Sequence, residues 1–394
     1  MKHRTRSLLL LALLTVACGD RSREPSASLS VAGALRGGDD RGYARATEPR
    51  TFGFPADHGP HPEFRTEWWY YTGNLATAEG RRFGFQLTFF RSALAPEMPE
   101  RGSAWATRQA WLAHFALSNI EGEEGERFHS FERWSRGAVG LAGIQTAPFR
   151  VWVEDWSAQA DGGDDGPVFP MRLRAAEGEV ALDLRLEQGK PPVLQGERGL
   201  SRKSSEPGNA SYYYSLTRMP ATGTIRVGGE SFTVQGSAWM DREWSTSSLG
   251  EGQVGWDWFA LQLSDGTDLM LYQLRDAEGR PDPSSSGSIA GPGGETRPLA
   301  LRDFSLEPLA TWESPDSGAR YPARWRVRVP SEELDLTVTP LLADQELDVS
   351  FRYWEGAVAM EGTRQGRPVR GNGYVELTGY DEPSPRSGHN QDDQ

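Results

Sequence analysis

The stretch GSAWMDREWSTS sets three charged residues between two tryptophans: Asp241, Arg242 and Glu243 lie between Trp239 and Trp244. Charged side chains are rarely fully buried unless they are paired. A carboxyl group enclosed by aromatic rings has its neutral form favoured by desolvation, so it can act as a general acid near neutral pH. The stretch therefore has two interpretations: an acid–base centre, or a structural clasp in which Arg242 pairs with a carboxylate.

Acidic residues stand beside aromatic ones elsewhere in this chain, which has 14 tryptophans. In Trp256-Asp257-Trp258, strand alternation puts both tryptophans on one face and the aspartate on the other. The run EWWYY divides in the same way, and one of its two sets should face the interior: Glu67, Trp69 and Tyr71, or Trp68 and Tyr70. Aromatic rings inside a β-barrel form a natural cavity for a hydrophobic ligand, and their faces can stabilise a cation. Ordinary core packing is the alternative.

The six histidines give little support for a metal site. His58 and His61 could bind a metal together with Asp57 or Glu63, but a surface loop leading into the first strand is the preferred interpretation, and we predict no metal. His114 alternates within an apolar strand, AWLAHFALS, where a core histidine with satisfied hydrogen bonds is expected.

Motifs of several enzyme classes are missing from the sequence. It has no G-x-S-x-G, H-E-x-x-H, C-x-x-C or P-loop, and no G-x-G-x-x-G between a strand and a helix. These absences count against a serine hydrolase with a nucleophile elbow, a zinc protease and a nucleotide-dependent enzyme. We therefore expect no cofactor.

Short runs of alternating apolar and polar residues must position these side chains, as in 83–89, 182–186 and 325–329. A period of two is the signature of half-buried strands, and turn signals such as Gly228-Gly229 separate the runs. No long stretch has the 3.6-residue period of a helix. The sequence therefore predicts an all-β fold of antiparallel strands, either a sandwich or a barrel.

A weak internal repeat divides the body of the chain in two. WYYTGNL corresponds to WFALQL, LDLRLEQGKPPVLQ to LDLTVTPLLADQ, and VQGSAWMD to VRGNGYVE, in the same order. We predict two tandem domains, 52–244 and 253–380, joined by the linker 245–252. The repeat makes Asp241 and Glu376 equivalent, which favours a structural role for that position, although only the first copy continues with Arg-Glu-Trp.

The first residues predict export. Residues 1–17 contain three basic side chains and an apolar run too short to cross a bilayer, as in a signal peptide. Cys18 follows at once, as in a bacterial lipobox, and we predict that it is lipidated. Residues 18–51 have the composition of a flexible tether and 381–394 that of a disordered tail. The expected product is a lipoprotein of the bacterial cell envelope, periplasmic or outer-membrane.

The net charge of −13 limits the classes of partner. It argues against nucleic acid, because phosphate binding needs a basic surface, and against electrostatic docking on anionic lipid. We expect membrane contact only through the N-terminal lipid. Because Cys18 is the only cysteine, no disulfide can form within the chain, so core packing must stabilise it. The sequence does not predict an oligomeric state.

Four motifs together resemble the carotenoid 1,2-hydratase/AttH-like family of lipocalin-related bacterial proteins: HPEFRTEWWYYTGNL, GSAWMDREWSTS, GWDWFALQL and YWEGAV…GNGYVELTGY. The resemblance covers about residues 52–380. It implies two tandem lipocalin-like antiparallel β-barrel domains, in agreement with the repeat. Named relatives hydrate the terminal alkene of acyclic carotenoids without a cofactor. The chain resembles an exported branch whose members carry the label of secreted hydrolases.

The resemblance also implies roles for particular residues. With hydratase chemistry, Asp241 is the candidate acid, Glu243 or Asp257 orients water, and Trp244 and Trp256 face the cation. The candidate ligand-binding residues are Glu67, Trp69, Tyr71, His114, Trp239, Trp244, Trp256 and Trp258.

Three functions stay open at this point. The first is a hydratase or related isomerase acting on an isoprenoid-like alkene, which requires the carboxyl group of Asp241 to face a cavity. The second is a carrier of a hydrophobic molecule, which needs the cavity but no acid. The third is a hydrolase that uses a carboxylate-activated water. A purely structural envelope role is the residual alternative. A hydrophobic small molecule is the partner expected in every case.

Overall fold

The computed structural model describes residues 40–97, 102–162, 167–247 and 249–380. The predicted signal peptide, Cys18, most of the tether and the C-terminal tail lie outside the described residues. Within them the chain forms strands β1 to β23 in two antiparallel sheets, with three short 3₁₀ helices and no α-helix. No helix in these ranges is long and apolar enough to cross a membrane. The predicted all-β fold of two lipocalin-like barrels is confirmed.

The first sheet has thirteen strands. They are β1 (Thr66–Ala76), β2 (Arg82–Ala93), β3 (Gln109–Asn119), β4 (Phe128–Arg136), β5 (Ala142–Thr146), β6 (Phe149–Val153), β7 (Trp156–Ala160), β8 (Met171–Glu177), β9 (Val180–Leu186), β10 (Val193–Leu194), β11 (Leu200–Arg202), β12 (Ala210–Val227) and β13 (Glu230–Ser245). Their main order is β4-β3-β2-β1-β13-β12-β9-β8-β7-β6-β5, with β10 and β11 paired to β12.

The second sheet has ten strands. They are β14 (Gln253–Leu263), β15 (Asp268–Asp276), β16 (Ser286–Ala290), β17 (Thr296–Ala300), β18 (Ser305–Glu313), β19 (Arg320–Val329), β20 (Leu334–Pro340), β21 (Glu346–Asp348), β22 (Arg352–Arg364) and β23 (Arg367–Leu377). Their main order is β17-β16-β15-β14-β23-β22-β20-β19-β18, with β21 paired to β22. The 3₁₀ helices are Ala56–His58, Leu301–Asp303 and Pro330–Glu332.

The two sheets share a pattern of pairing that relates the copies. In each sheet the last long strand returns to pair with the first, β13 with β1 and β23 with β14. Tyr70 lies opposite Asp241 in the first sheet, and Trp258 lies opposite Glu376 in the second. Tyr70 and Trp258 are therefore the equivalent residues. The sequence repeat aligned the two motifs on their leading tryptophans, Trp69 and Trp258. That alignment is one residue out of register, and a shift of one residue reverses the direction of every side chain.

Alternation along the strands divides the apolar side chains among separate cores. One large cluster fills the first barrel and a second fills the other barrel. A third lies between the two sheets, on the opposite face of the same strands, and it is rich in aromatic rings: Tyr70, Tyr213, Trp239, Trp258, Tyr272 and Tyr374. Strands β1 and β13 are consequently buried on both faces along much of their length.

Close contacts hold the two barrels together. The Asn74 side chain donates a hydrogen bond to the Gly373 carbonyl (3.0 Å), and the Ser118 hydroxyl donates to the Gln345 side chain (2.7 Å). Between these bonds Gly84 packs directly against Ala357, so that a methyl group on Gly84 would lie 2.6 Å from the Ala357 methyl. A glycine is needed here because the two sheets approach each other closely.

We expect Gly84→Ala to lower the free energy of unfolding by about 1–3 kcal/mol, because the new methyl group forces the two barrels apart. Urea denaturation measures the change. The matched control is Gly53→Ala, since a methyl group on Gly53 meets no atom within 4 Å, and it should change stability by less than about 0.5 kcal/mol. In a double-mutant cycle, Ala357→Gly should recover part of the loss. Additive effects in the cycle would contradict the contact.

Candidate functional site

A cavity of about 410 Å³ lies between the two sheets, within the range of small-molecule sites. Aromatic side chains from both barrels form most of its wall: Trp68, Tyr70, Phe90, Trp111, Trp134, Tyr213, Trp256, Trp258, Tyr272, Phe351 and Tyr353. Four carboxyl groups also line it: Asp241, Glu243, Glu355 and Glu376. The site is therefore a largely apolar chamber that contains several acids.

Strand alternation explains how one short stretch contributes to two places. On β13, Asp241 and Glu243 point toward the second barrel and line the cavity. Arg242 and Trp244 point the other way and are fully buried inside the first barrel. The charged stretch therefore combines both interpretations that the sequence suggested. Asp241 and Glu243 are the acids on one face, and Arg242 belongs to a clasp on the other.

Asp241 is buried among three hydrogen-bond donors. Its carboxylate accepts bonds from the Tyr213 hydroxyl (2.5 Å), the Ser215 hydroxyl (2.6 Å) and the Trp239 indole N–H (2.7 Å). Burial nevertheless raises the pKa of Asp241 to about 7, because the three bonds only partly offset the cost of desolvating the charge. Asp241 therefore exchanges a proton near neutral pH.

Glu355 and Glu376 form a pair of facing acids on adjacent strands. Burial, together with the charge of its partner, raises the pKa of Glu355 well above its ordinary value, and burial raises the pKa of Glu376 to about 8. The Tyr70 hydroxyl donates to Oε1 of Glu355 (2.5 Å), whereas Oε2 is buried without a hydrogen-bond partner in the described structure. Two carboxylates this close in an apolar chamber cannot both ionise readily, so the pair retains a proton at neutral pH.

Two further polar groups complete the wall. Lys203 pairs with Glu243 at 3.1 Å, which supplies a counter-charge for that carboxylate. His114 lies 2.7 Å from the Tyr353 hydroxyl through Nδ1 and 3.3 Å from Glu132 through Nε2. Its hydrogen bonds are satisfied, as expected, and burial lowers its pKa, so the imidazole is neutral at pH 7. Its ring lies in the wall of the interdomain cavity.

The opposite face of β1 and β13 carries a buried ion network. Glu67 is fully buried and pairs with Arg242 and with Arg91 (2.6 Å). Burial alone would raise the pKa of Glu67, but the two guanidinium groups outweigh it and hold that pKa well below its usual range. The Arg242 guanidinium also lies over the Trp69 ring at 3.9 Å. This network is the structural clasp.

The segment with two histidines belongs to this network and is not the surface loop that the sequence suggested. His61 is buried, stacks on Trp244 with ring centroids 3.7 Å apart, and bonds to Asp57 at 2.9 Å. His58 is also buried and bonds to the Tyr214 hydroxyl at 2.6 Å. Aromatic and charged side chains of the first barrel pack around the segment and bury it. Within the described ranges, no cluster of three or more potential ligands could hold a metal ion.

The structure divides the residues singled out from the sequence. Those that line the cavity are Asp241, Glu243, His114, Trp256 and Trp258. Trp239 reaches the site through its bond to Asp241. Those inside the first barrel are Glu67, Trp69, Tyr71 and Trp244. They do not line the cavity, because the set of EWWYY that contains them faces the core of the first barrel, and the other set, Trp68 and Tyr70, faces the cavity.

Asp257 lies on the face of β14 that points into the second barrel. It pairs with Arg275 (3.0 Å) and accepts a bond from the Tyr380 hydroxyl (2.9 Å). It does not line the cavity, so it is not placed to orient water beside Asp241. Strand alternation puts Asp257 on the opposite face of the strand from Trp256 and Trp258, and the cavity lies on the face of the two tryptophans.

Sequence reasoning left out Glu355, Glu376, Tyr70 and Tyr213 as site residues. The signal for Glu376 was present, because the repeat made it equivalent to Asp241. For Glu355, the signal in the sequence was limited to the aromatic residues that precede it, Tyr353 and Trp354. The missing information was that the chamber lies between the barrels, where both copies contribute, and not inside one of them.

A second, larger groove of about 880 Å³ lies at the other end of the interface. It is open to solvent and is lined by apolar side chains such as Phe83 and Met360, by short polar side chains and by three arginines, Arg82, Arg218 and Arg370. Arg218 is held by Asp268 at 2.5 Å. The aromatic chamber, with its protonated acids, has the features of a reaction site, and the groove does not share them.

Residues 45–380 match the profile of the AttH-like family. The crystal structure of a protein assigned as AttH from Nitrosomonas europaea is 35% identical, with a TM-score of 0.75 over 86% of this chain and 99% of that one. Kievitone hydratase from Nectria haematococca is 17% identical, with a TM-score of 0.64 over 85% of this chain and 97% of its own. No protein of curated function matches the chain. The family resemblance of the four motifs is confirmed.

We expect Glu67→Gln to lower the free energy of unfolding by about 3–5 kcal/mol, because it leaves Arg242 and Arg91 buried without a counter-charge. The control is Asp183→Asn, which removes a partly exposed ion pair with Arg172 and should cost less than about 1 kcal/mol. Urea denaturation compares the two. A loss below about 1 kcal/mol in Glu67→Gln would refute the clasp.

The contribution of Asp241 to stability should fall as the pH rises from about 4.5 to 7.5. The pKa of Asp241 is about 7 in the folded protein and 3.8 as its model value, so between these values the folded state binds more protons than the unfolded state. Asp241→Asn removes this contribution. Relative to the variant, the wild type should lose on the order of 1–3 kcal/mol over this range in urea titrations. Parallel curves would show that Asp241 is already ionised at pH 4.5.

Proposed function

Since the chain belongs to the AttH-like family, we propose that its interdomain cavity binds an isoprenoid-like alkene and hydrates it by cofactor-free acid–base catalysis. One observation carries the proposal: three carboxyl groups whose pKa is raised line a single aromatic chamber. The likeness to kievitone hydratase extends to the fold alone at 17% identity. The hydration chemistry is proposed from the chamber itself.

The first step is protonation of the alkene. Glu355 is the proposed donor, because its protonated form is favoured and its Oε2 atom is buried without a partner. Glu376 faces it and keeps a proton within the pair. Transfer of that proton to one alkene carbon leaves a cation on the other carbon. This step uses the raised pKa, since an acid that is neutral at pH 7 is present in the reactive form.

The aromatic wall stabilises the cation. Trp258 and Tyr70 meet edge to face with ring centroids 5.2 Å apart, and Trp256 lies on the same strand face as Trp258. Ring faces attract a cation, and the attraction is stronger where water is excluded. Because a chamber of about 410 Å³ is small, it holds a compact terpenoid or one end of a longer chain.

Water then adds to the cation and gives its proton to Asp241. A pKa of about 7 makes the Asp241 carboxylate available for this step, and Tyr213, Ser215 and Trp239 hold it in place. The new C–O bond forms as the O–H bond breaks, so the net reaction is alkene plus water to alcohol. The proton returns through the acid cluster to Glu355, and no cofactor is consumed.

A carrier is the second candidate, because the apolar wall would serve binding without chemistry. We also propose that the protein is an exported lipoprotein acylated at Cys18, as the N-terminal sequence predicts. Cys18 lies outside the described residues, so this part of the proposal rests on sequence alone.

The test measures binding and turnover separately, with geraniol and squalene as alkene probes in ¹⁸O-labelled water. Tryptophan quenching reports binding, and mass spectrometry reports ¹⁸O in a tertiary alcohol. Asp241→Asn and Glu355→Gln should bind the probe yet lose at least about 100-fold in rate. The control is Asp257→Asn, whose carboxylate faces the second barrel, and its rate per folded molecule should stay within about twofold.

The outcomes separate the candidates. Binding without ¹⁸O incorporation in the wild type would replace the hydratase with a carrier. An absence of binding for both probes would overturn the isoprenoid ligand for either function. Equal rates in Asp241→Asn and the wild type would remove Asp241 from the mechanism.

A further inference from the structure

Exposed apolar side chains are concentrated at one end of the first barrel. Within the described ranges, seven large apolar residues are substantially exposed, and five of them lie at this end: Leu94 (62% exposed), Trp105 (55%), Trp134 (53%), Val139 (52%) and Leu141 (37%). We call these five residues the apolar rim. The second barrel contributes only Leu309 to the seven (45%). Contiguous apolar surface of this kind marks an interaction site more often than scattered exposure does.

Backbone contacts bring the rim together. Leu94 and Trp105 belong to the connection between β2 and β3, and the Leu94 N–H donates to the Arg108 carbonyl (2.7 Å). The turn after β4 is tied to the same place, because the Gly137 N–H donates to the Gln109 carbonyl (3.1 Å). Val139 and Leu141 follow directly in that turn. Trp134 lies on β4 opposite Leu112 of β3.

The rim also reaches the opening of the cavity. Leu94 and Trp134 line the chamber and are more than half exposed, so they extend its wall to the surface. Phe351 of the second barrel lies beside Trp134, with ring centroids 6.1 Å apart. A ligand that enters here passes between apolar side chains from the surface to the acids.

The N-terminal part of the described chain reaches the same end. Gly42 packs against Pro96, two residues beyond Leu94, and a methyl group on Gly42 would lie 3.0 Å from the Pro96 ring. Asp40 lies 3.4 Å from Arg65, immediately before β1. Cys18 is 22 positions before Asp40, and 22 residues span at most about 75 Å. A lipid on Cys18 would therefore tether the protein to a bilayer through this end of the barrel.

We propose that the apolar rim docks on the surface of a lipid bilayer, with the mouth of the cavity facing the membrane. Tryptophan suits this place because its ring is apolar and its N–H can stay hydrated, and leucine and valine can enter the acyl boundary. The net charge of −13 argues against attraction to anionic lipid as the driving force. Burial of apolar surface drives the contact. Hydrophobic ligands dissolved in the membrane then enter the chamber without crossing water.

The experiment is flotation with vesicles of pure phosphatidylcholine. It uses the chain from Gly19 to Gln394, which retains every described residue and both barrel cores but lacks the cysteine that could carry lipid. We expect the wild type to float with the vesicles, and to do so equally in low and high salt. The triple variant L94S/W105S/V139S should lose at least about tenfold in partition coefficient, since it removes most of the inserted surface.

Two controls make the result specific. Leu309→Ser removes a 45% exposed apolar residue from the second barrel and should bind as the wild type does. Glu355→Gln alters the proposed acid and should also float normally, so failure of the hydratase and failure of the docking surface are distinguishable. Thermal unfolding of the triple variant tests whether it keeps its fold, and we expect that it does, because all three substituted residues are more than half exposed.

Three results would overturn the proposal. The first is the absence of flotation that depends on the rim: either the wild type stays with the soluble fraction, or the triple variant floats as well as the wild type. The second is binding that needs anionic lipid and disappears in high salt, which would indicate electrostatic docking. The third is a dimer that forms without vesicles and dissociates in the triple variant, which would assign the rim to a second copy of the chain.

Discussion

The two-sided burial of β1 and β13 is the constraint on which the rest of the structure depends. One face of each strand fills the first barrel, and the other face meets the second barrel. Because side chains alternate along a strand, every second residue of EWWYY and of WMDREW serves a different environment. This explains why the two runs are almost continuously aromatic and charged, since neither face is exposed to solvent. A change on one face therefore leaves the chemistry of the other face in place.

The same alternation separates the charges and so sets the acidity of the site. Arg242 and Arg91 lie on the barrel side, where they neutralise Glu67. The acids on the cavity side face aromatic rings, and Lys203 is the one cation among the residues that line the described chamber. Removal from water without a matching positive charge raises the pKa of a carboxyl group. The chamber retains protons near neutral pH because Arg91 and Arg242 lie on the opposite face of the sheet, inside the first barrel.

Most of the fold could be predicted from the strand patterns and repeats of the sequence, whereas the site could be predicted only in part. Period-two alternation gave the all-β class, and the matched motifs gave two copies with Asp241 and Glu376 in equivalent places. Alternation also grouped Glu67, Trp69 and Tyr71, but it cannot tell which face of a doubly buried strand holds a ligand. The chamber is formed by long-range packing of two sheets, as between Gly84 and Ala357. That packing leaves no local signal, so Glu355 was not identified.

Asp241 and Glu376 have equivalent strand positions but different environments. Asp241 and Glu376 occupy the same position in their sheets, but their strand neighbours differ: Ser215 lies opposite Asp241, and Glu355 lies opposite Glu376. A hydroxyl donor stabilises a carboxylate, whereas a second carboxyl group opposes ionisation. In the reaction proposed above, the first copy supplies the proton acceptor, Asp241, and the second copy supplies the donor, Glu355, which lies opposite Glu376. Different environments can assign an acid and a base among the carboxyl groups of a single site, and here the residue opposite the repeated acid, Ser215 in the first copy and Glu355 in the second, is the difference between the two strand pairs.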